Sequence, residues 1–106
     1  MKFYKNLYIG DTVKNPGKIK RKLKKNAMLP NIYIIAYMKE LNRLEIYPGL
    51  MMQQYYFKEH APYVIGLAGG QDEAAQMIGR IAEDALRTTG RADLIGYLMS
   101  EKSGKR

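Results

Sequence analysis

Pro62-Tyr63-Val64-Ile65-Gly66-Leu67-Ala68-Gly69-Gly70, followed by the segment from Gln71 to Gly90, decides the fold. The run from Pro62 to Ala68 is apolar on both faces, which fits a buried strand. Proline is tolerated at its first position because no ladder donor is needed there. Gly69-Gly70 then turns the chain. From Gln71 to Thr89 the side chains of Ala74, Met77, Ile78, Ile81, Ala82, Ala85 and Leu86 form the apolar stripe of an amphipathic helix. Asp72 and Glu73 occupy its positive first turn, and Gly90 stands at its C-terminal cap. Gly79 inside this helix costs about 1 kcal/mol, and close packing on a sheet is the expected reason for it.

Working upstream, Ile32-Tyr33-Ile34-Ile35-Ala36-Tyr37-Met38 is β-branched and aromatic, a second strand. Lys39 to Arg43 is a polar turn, and Leu44 to Tyr47 alternates as a half-buried strand, so the two pair as an antiparallel hairpin. Pro48-Gly49 ends it. Leu50 to His60 has no clean period and reads as a short helix or an irregular connection. Pro30 breaks the chain ahead of the hairpin. Phe3 to Ile9 fits either period; as a strand it places Phe3, Lys5, Leu7 and Ile9 on one face and Tyr4 and Tyr8 on the other.

Asn15-Pro16 marks a helix start, an N-cap followed by a proline at the first helical position. The helix is expected to reach about Asn26. Ile19 and Leu23 make a narrow apolar seam, with Ala27 nearby, and lysines and one arginine cover the rest of its circumference. Downstream of the long helix, Asp93 can cap a short last helix containing Leu94, Ile95, Tyr97 and Leu98.

These elements predict an α+β domain. A small, mainly antiparallel sheet of three or four strands is packed by the long C-terminal amphipathic helix in a two-layer sandwich, with a basic N-terminal helix. Residues 1–100 form the single domain and 101–106 a flexible basic tail. The order helix, three strands, helix resembles the double-stranded-RNA-binding domain in topology. That family places a lysine cluster at the start of its second helix. The corresponding residues here, Gln71-Asp72-Glu73-Ala74-Ala75, carry the opposite charge, so membership does not follow.

The chain's net charge of +8 lies entirely in residues 1–30, which hold nine basic side chains against the single acid Asp11. Residues 31–106 balance nine basic against nine acidic side chains. Such an asymmetry points to an anionic partner near the N-terminus. With no Cys, thiolate metal sites, disulfides and a cysteine nucleophile are excluded. No signal-peptide pattern is visible, and the longest apolar run is far short of the roughly 20 residues that a membrane-spanning helix needs. A cytoplasmic location without membrane contact is expected.

The candidate polyanion-binding residues are Lys18, Lys20, Arg21, Lys24 and Lys25, a fixed cationic array suited to phosphates. Tyr4, Tyr8, Tyr55, Tyr56 and Phe57 could stack bases, although a core or rim role suits most of them better. A second candidate surface is Leu50, Met51, Tyr55, Tyr56 and Phe57, whose residue types are enriched at oligomer interfaces. Gly66 to Gln71 leads from strand to helix as phosphate loops do, but it matches neither glycine-loop signature, and Asp72 and Glu73 stand where a phosphate would sit. The Glu59-His60 pair has no neighbour in sequence that completes a triad or a metal site. With one His and five Ser/Thr, no reaction can be named and no cofactor or metal is expected. The expected function is a non-enzymatic module that engages nucleic acid or another polyanion through the basic helix. The alternative is a homo-oligomeric assembly module that uses residues 50–57.

Overall fold

The computed structural model describes residues 1–25, 29 and 31–100. Expectations that fall on Asn26, Ala27, Pro30 and the 101–106 tail lie outside the described residues. In chain order the elements are β1 (Lys2–Ile9), α1 (Pro16–Lys24), β2 (Tyr33–Met38), β3 (Arg43–Pro48), a 3-10 turn (Gly49–Gln53), α2 (Tyr55–Glu59), β4 (Tyr63–Ala68), α3 (Gln71–Thr89) and α4 (Leu94–Met99). They form an α+β fold: a four-stranded, mixed, open sheet with helices packed on it.

Strand order is β1-β4-β2-β3. β2 pairs antiparallel with both β3 and β4, and β1 joins the far side of β4 in parallel. The central strands β2 and β4 are buried along most of their length, as strands covered on both faces must be. Period two sorts the side chains of β2, with Ile35 facing α3 and Ile34, Ala36 and Met38 facing the other way. In β4 a register shift opposite Ile35 and Ala36 breaks the alternation, so that Ile65 and Ala68 face α3 while Val64 and Leu67 face the other way.

α3 covers the first face with Ala74, Met77, Ile81 and Ala85, joined by Tyr97 and Leu98 of α4. Asp93 caps α4, its Oδ1 accepting from the Gly96 N–H at 3.1 Å. Gly90 ends α3 at φ 79°, a left-handed conformation that glycine adopts without strain. Gly79 corrects the sequence reading: it is exposed, and a Cβ built on it meets no atom within 4 Å, so it does not pack on the sheet.

The second face is covered by a thinner layer, α1 through Ile19 and Leu23 and the 49–59 segment through Met52 and Phe57. Asn15 caps α1, its Oδ1 accepting from the Lys18 N–H at 3.3 Å. Burying a leucine such as Leu23 contributes about 1.5–3 kcal/mol, and this seam fixes α1 to the body.

β1 is a strand with the expected facing: Tyr4 and Tyr8 join the α3 side, Phe3, Leu7 and Ile9 the α1 side. Its pairing with β4 is irregular. Phe3 lies opposite Val64 and Tyr8 opposite Gly66, so β1 carries extra residues between these pairs. Such a bulge swings a strand segment away from its neighbour and re-aims its side chains.

Candidate functional site

The seam of Ile19 and Leu23 sets the orientation of every charge on α1. At about 100° per residue, Lys20 and Lys24 fall on one flank of the seam, Lys18, Lys22 and Lys25 on the other, and Arg21 opposite it. The Lys20/Lys24 flank leans on β1. Lys20 Nζ lies 5.4 Å and Lys24 Nζ 5.6 Å from the centre of the Phe3 ring, both in cation–π range. Phe3 therefore holds two ammonium groups beside the sheet edge.

Two grooves flank this contact. One, of about 690 Å³, is lined by Lys2, Phe3, Lys20, Lys24 and Tyr63. The other, of about 630 Å³, is bordered by the bulged β1 residues Lys5 to Ile9, by Pro16, Gly17 and Lys20 of α1, and by Arg80 and Asp84 of α3. Lys20 belongs to both. The fold thus joins part of the expected array to three cations that the sequence reading missed: Lys2, Lys5 and Arg80. Strand alternation already placed Lys5 on the face of Phe3 and Leu7. Nothing local marks Arg80, because it reaches the site only through the packing of α3. Lys18 and Lys25 stand on the flank away from β1.

Among the described residues the ion pairs between permanently charged side chains are Arg43–Glu45 and Arg87–Asp84, and His60 Nδ1 lies 3.2 Å from Glu40 Oε2. None of them engages a cation of α1. At the floor of the 630 Å³ groove, the Tyr8 hydroxyl donates to Asp84 Oδ2 at 2.6 Å and Arg87 donates to Asp84 Oδ1. Burial pushes the pKa of the Tyr8 hydroxyl well up, and the facing Asp84 carboxylate adds to the shift, so this group stays a donor.

The glycine turn before α3 is occupied by the protein itself. Glu73 Oε1 accepts from the Gly69 N–H at 2.6 Å and from the Thr12 hydroxyl at 2.8 Å, and Oε2 accepts from the Thr12 N–H at 3.2 Å. The Gly69 N–H foremost, then the Thr12 hydroxyl, hold the carboxyl pKa below its usual value. A Cβ on Gly10 would collide with the Glu73 carboxylate, and one on Gly69 with the Thr12 hydroxyl. These glycines admit a carboxylate that ties the β1–α1 connection to α3.

Tyr4 and Tyr8 are core residues with their rings stacked 6.3 Å apart, so neither can take a base. Tyr55 and Tyr56 are 73% and 45% exposed. Leu50 is also exposed, Met51 is half-buried, and Phe57 is buried edge-on against Tyr47 and Tyr56. Glu59 and His60 have different partners. Tyr55 donates to Glu59 at 2.8 Å, while the His60 ring stacks on Tyr56 at 4.4 Å and its Nδ1 lies 3.2 Å from Glu40.

Among the described residues no group of three or more metal-ligating side chains converges, and no helix is long and apolar enough to cross a membrane. No protein-family model, curated protein or solved structure matches the chain.

Proposed function

We propose that this protein is a nucleic-acid-binding module whose contact surface is the Lys20/Lys24 flank of α1 together with the bulged edge of β1. The observation that carries the reading is the junction at Lys20. It links Lys2 and Lys24 on one side to Lys5 and Arg80 on the other, and among the described residues no acid pairs with the α1 members. Arg21 crowns the same helix. Cations held in a fixed array release phosphate counterions on binding without first ordering a disordered tail. An anionic membrane fits less well, because Ile19 and Leu23 are buried and leave α1 no apolar face to insert.

Mobility-shift titration of a nucleic acid with wild type and with a Lys20→Glu/Arg21→Glu/Lys24→Glu variant tests the reading. Binding at low salt that the variant loses at least tenfold is expected. Binding that is absent at low salt, or unchanged by the reversal, contradicts it.

A second reading, self-assembly, draws on the exposure of Tyr55, Tyr56 and Leu50 on the side of the molecule that holds the unbulged edge strand β3. Open edges invite pairing. Light scattering that shows a dimer in wild type and a monomer in Tyr55→Ala/Tyr56→Ala supports it; a monomer in both contradicts it.

A further inference from the structure

The 630 Å³ groove between the β1 bulge, the first turn of α1 and the middle of α3 has the makings of a small-ligand site in its own right. Its volume lies within the range of roughly 300–1,000 Å³ usual for such sites. Three cations from three separate elements border it: Lys5 from the strand bulge, Lys20 from α1 and Arg80 from α3. The N-terminal turn of α1, through Pro16 and Gly17, adds the positive end of a helix dipole on the same side. Arg80 supplies a planar fork that suits phosphate oxygens, and the two ammonium groups supply point charges.

The remainder of the lining is unlike a bare phosphate cradle. Leu7 and Ile9 are half-buried apolar side chains, giving a surface for a flat ring. Asp84 is the one acid present, and each of its oxygens already accepts a proton donor, from Tyr8 and from Arg87. Its charge is therefore partly offset toward an incoming anion. Each carboxylate oxygen retains a lone pair able to accept from a sugar hydroxyl or an exocyclic amine.

We infer that this groove binds one nucleoside phosphate unit, with the phosphate among Lys5, Lys20 and Arg80 and the ring against Leu7 and Ile9. The inference takes its ligand class from the nucleic-acid reading. The unit can be a free mononucleotide or one nucleotide of a single strand threaded along the edge. The groove then fixes the position of the strand, while the remaining cations of α1 contribute general attraction.

The test is an amide-shift titration by NMR with three probes: adenosine monophosphate, inorganic phosphate and a ten-nucleotide single strand. It uses wild type, Arg80→Gln and Lys58→Glu. Both substituted side chains are exposed, and unperturbed spectra away from the changed residue verify folding. Saturable shifts of residues 5–9 and 80 with adenosine monophosphate are expected. Affinity should fall at least fivefold in Arg80→Gln and less than twofold in Lys58→Glu. The single strand should shift the same residues and, in addition, those of α1.

No saturable response to the mononucleotide, with strand binding intact, overturns the groove and leaves the nucleic-acid reading standing. A mononucleotide response without strand binding supports the groove, confines it to free nucleotides and overturns the broader reading. Equal affinity for inorganic phosphate overturns the assignment of a nucleoside.

Discussion

Tyr8 shows how one side chain serves both fold and site. Its ring lies in the core, and its hydroxyl ends on Asp84 at the floor of the groove. A hydrogen bond to a charged group contributes about 1.5–3 kcal/mol. Tyr8→Phe should lower stability by about 1.5 kcal/mol in urea unfolding, since Arg87 still accompanies Asp84. An unchanged midpoint would show that the bond contributes nothing. Glu73 acts at the same scale. Its folded pKa is depressed, so its contribution is present above the unfolded value of about 4.3 and is lost as the pH falls through the folded value. Glu73→Gln should therefore be less stable than wild type at neutral pH, with the gap closing as the pH drops below about 4.3. A gap that stays constant down to acid unfolding would contradict the assigned role. The sequence placed an acid at this turn, but its partner Thr12 lies sixty-one residues away and no local pattern names it.

At the scale of elements, the long periodic segments were legible and the edges of the fold were not. The residue range of α3 follows from a stripe of seven apolar positions and a terminal glycine, and β2, β3 and β4 match their sequence bounds to within one residue at either end. The 49–59 region has no period because it is a 3-10 turn followed by a five-residue helix, each too short to repeat a pattern. The β1 bulge was equally invisible, since it is a property of pairing with β4. Gly79 had a clear local cost and an incorrect structural explanation. With open space around it, Gly79→Ala should stabilise α3 by about 0.8 kcal/mol, read as a rise in Tm of several degrees; a fall in Tm would mean that the glycine meets something. Leu23→Ala should cost about 3 kcal/mol, because it opens a fully buried site under α1. It should also weaken nucleic-acid binding, as the cationic array loses its fixed seat.

Across the whole molecule, the two sheet edges differ in character. β1 is bulged and flanked by lysines, features that discourage strand pairing, whereas β3 keeps regular pairing throughout. The basic surface and the Tyr55/Tyr56 surface therefore belong to opposite sides of the sheet order, and an assembly through the latter would leave the former open. The helical half of the basic surface was readable from composition and cap signals. The other half required the topology, because placing β1 outside β4 and packing α3 behind it is what sets Lys5 and Arg80 beside Lys20.

The most direct test of the basic surface is the salt dependence of binding to a labelled single-stranded oligonucleotide, followed by fluorescence anisotropy. If the six cations Lys2, Lys5, Lys20, Arg21, Lys24 and Arg80 all meet phosphates, log K should fall with log[salt] at a slope of about −4. Lys20→Glu/Lys24→Glu should make that slope shallower by at least one unit and weaken binding tenfold or more. Lys58→Glu/Arg91→Glu, the same change of charge made elsewhere on the surface, should alter both much less. A slope near zero, or an equal response to the two double reversals, would contradict a binding surface built on α1 and the edge of β1.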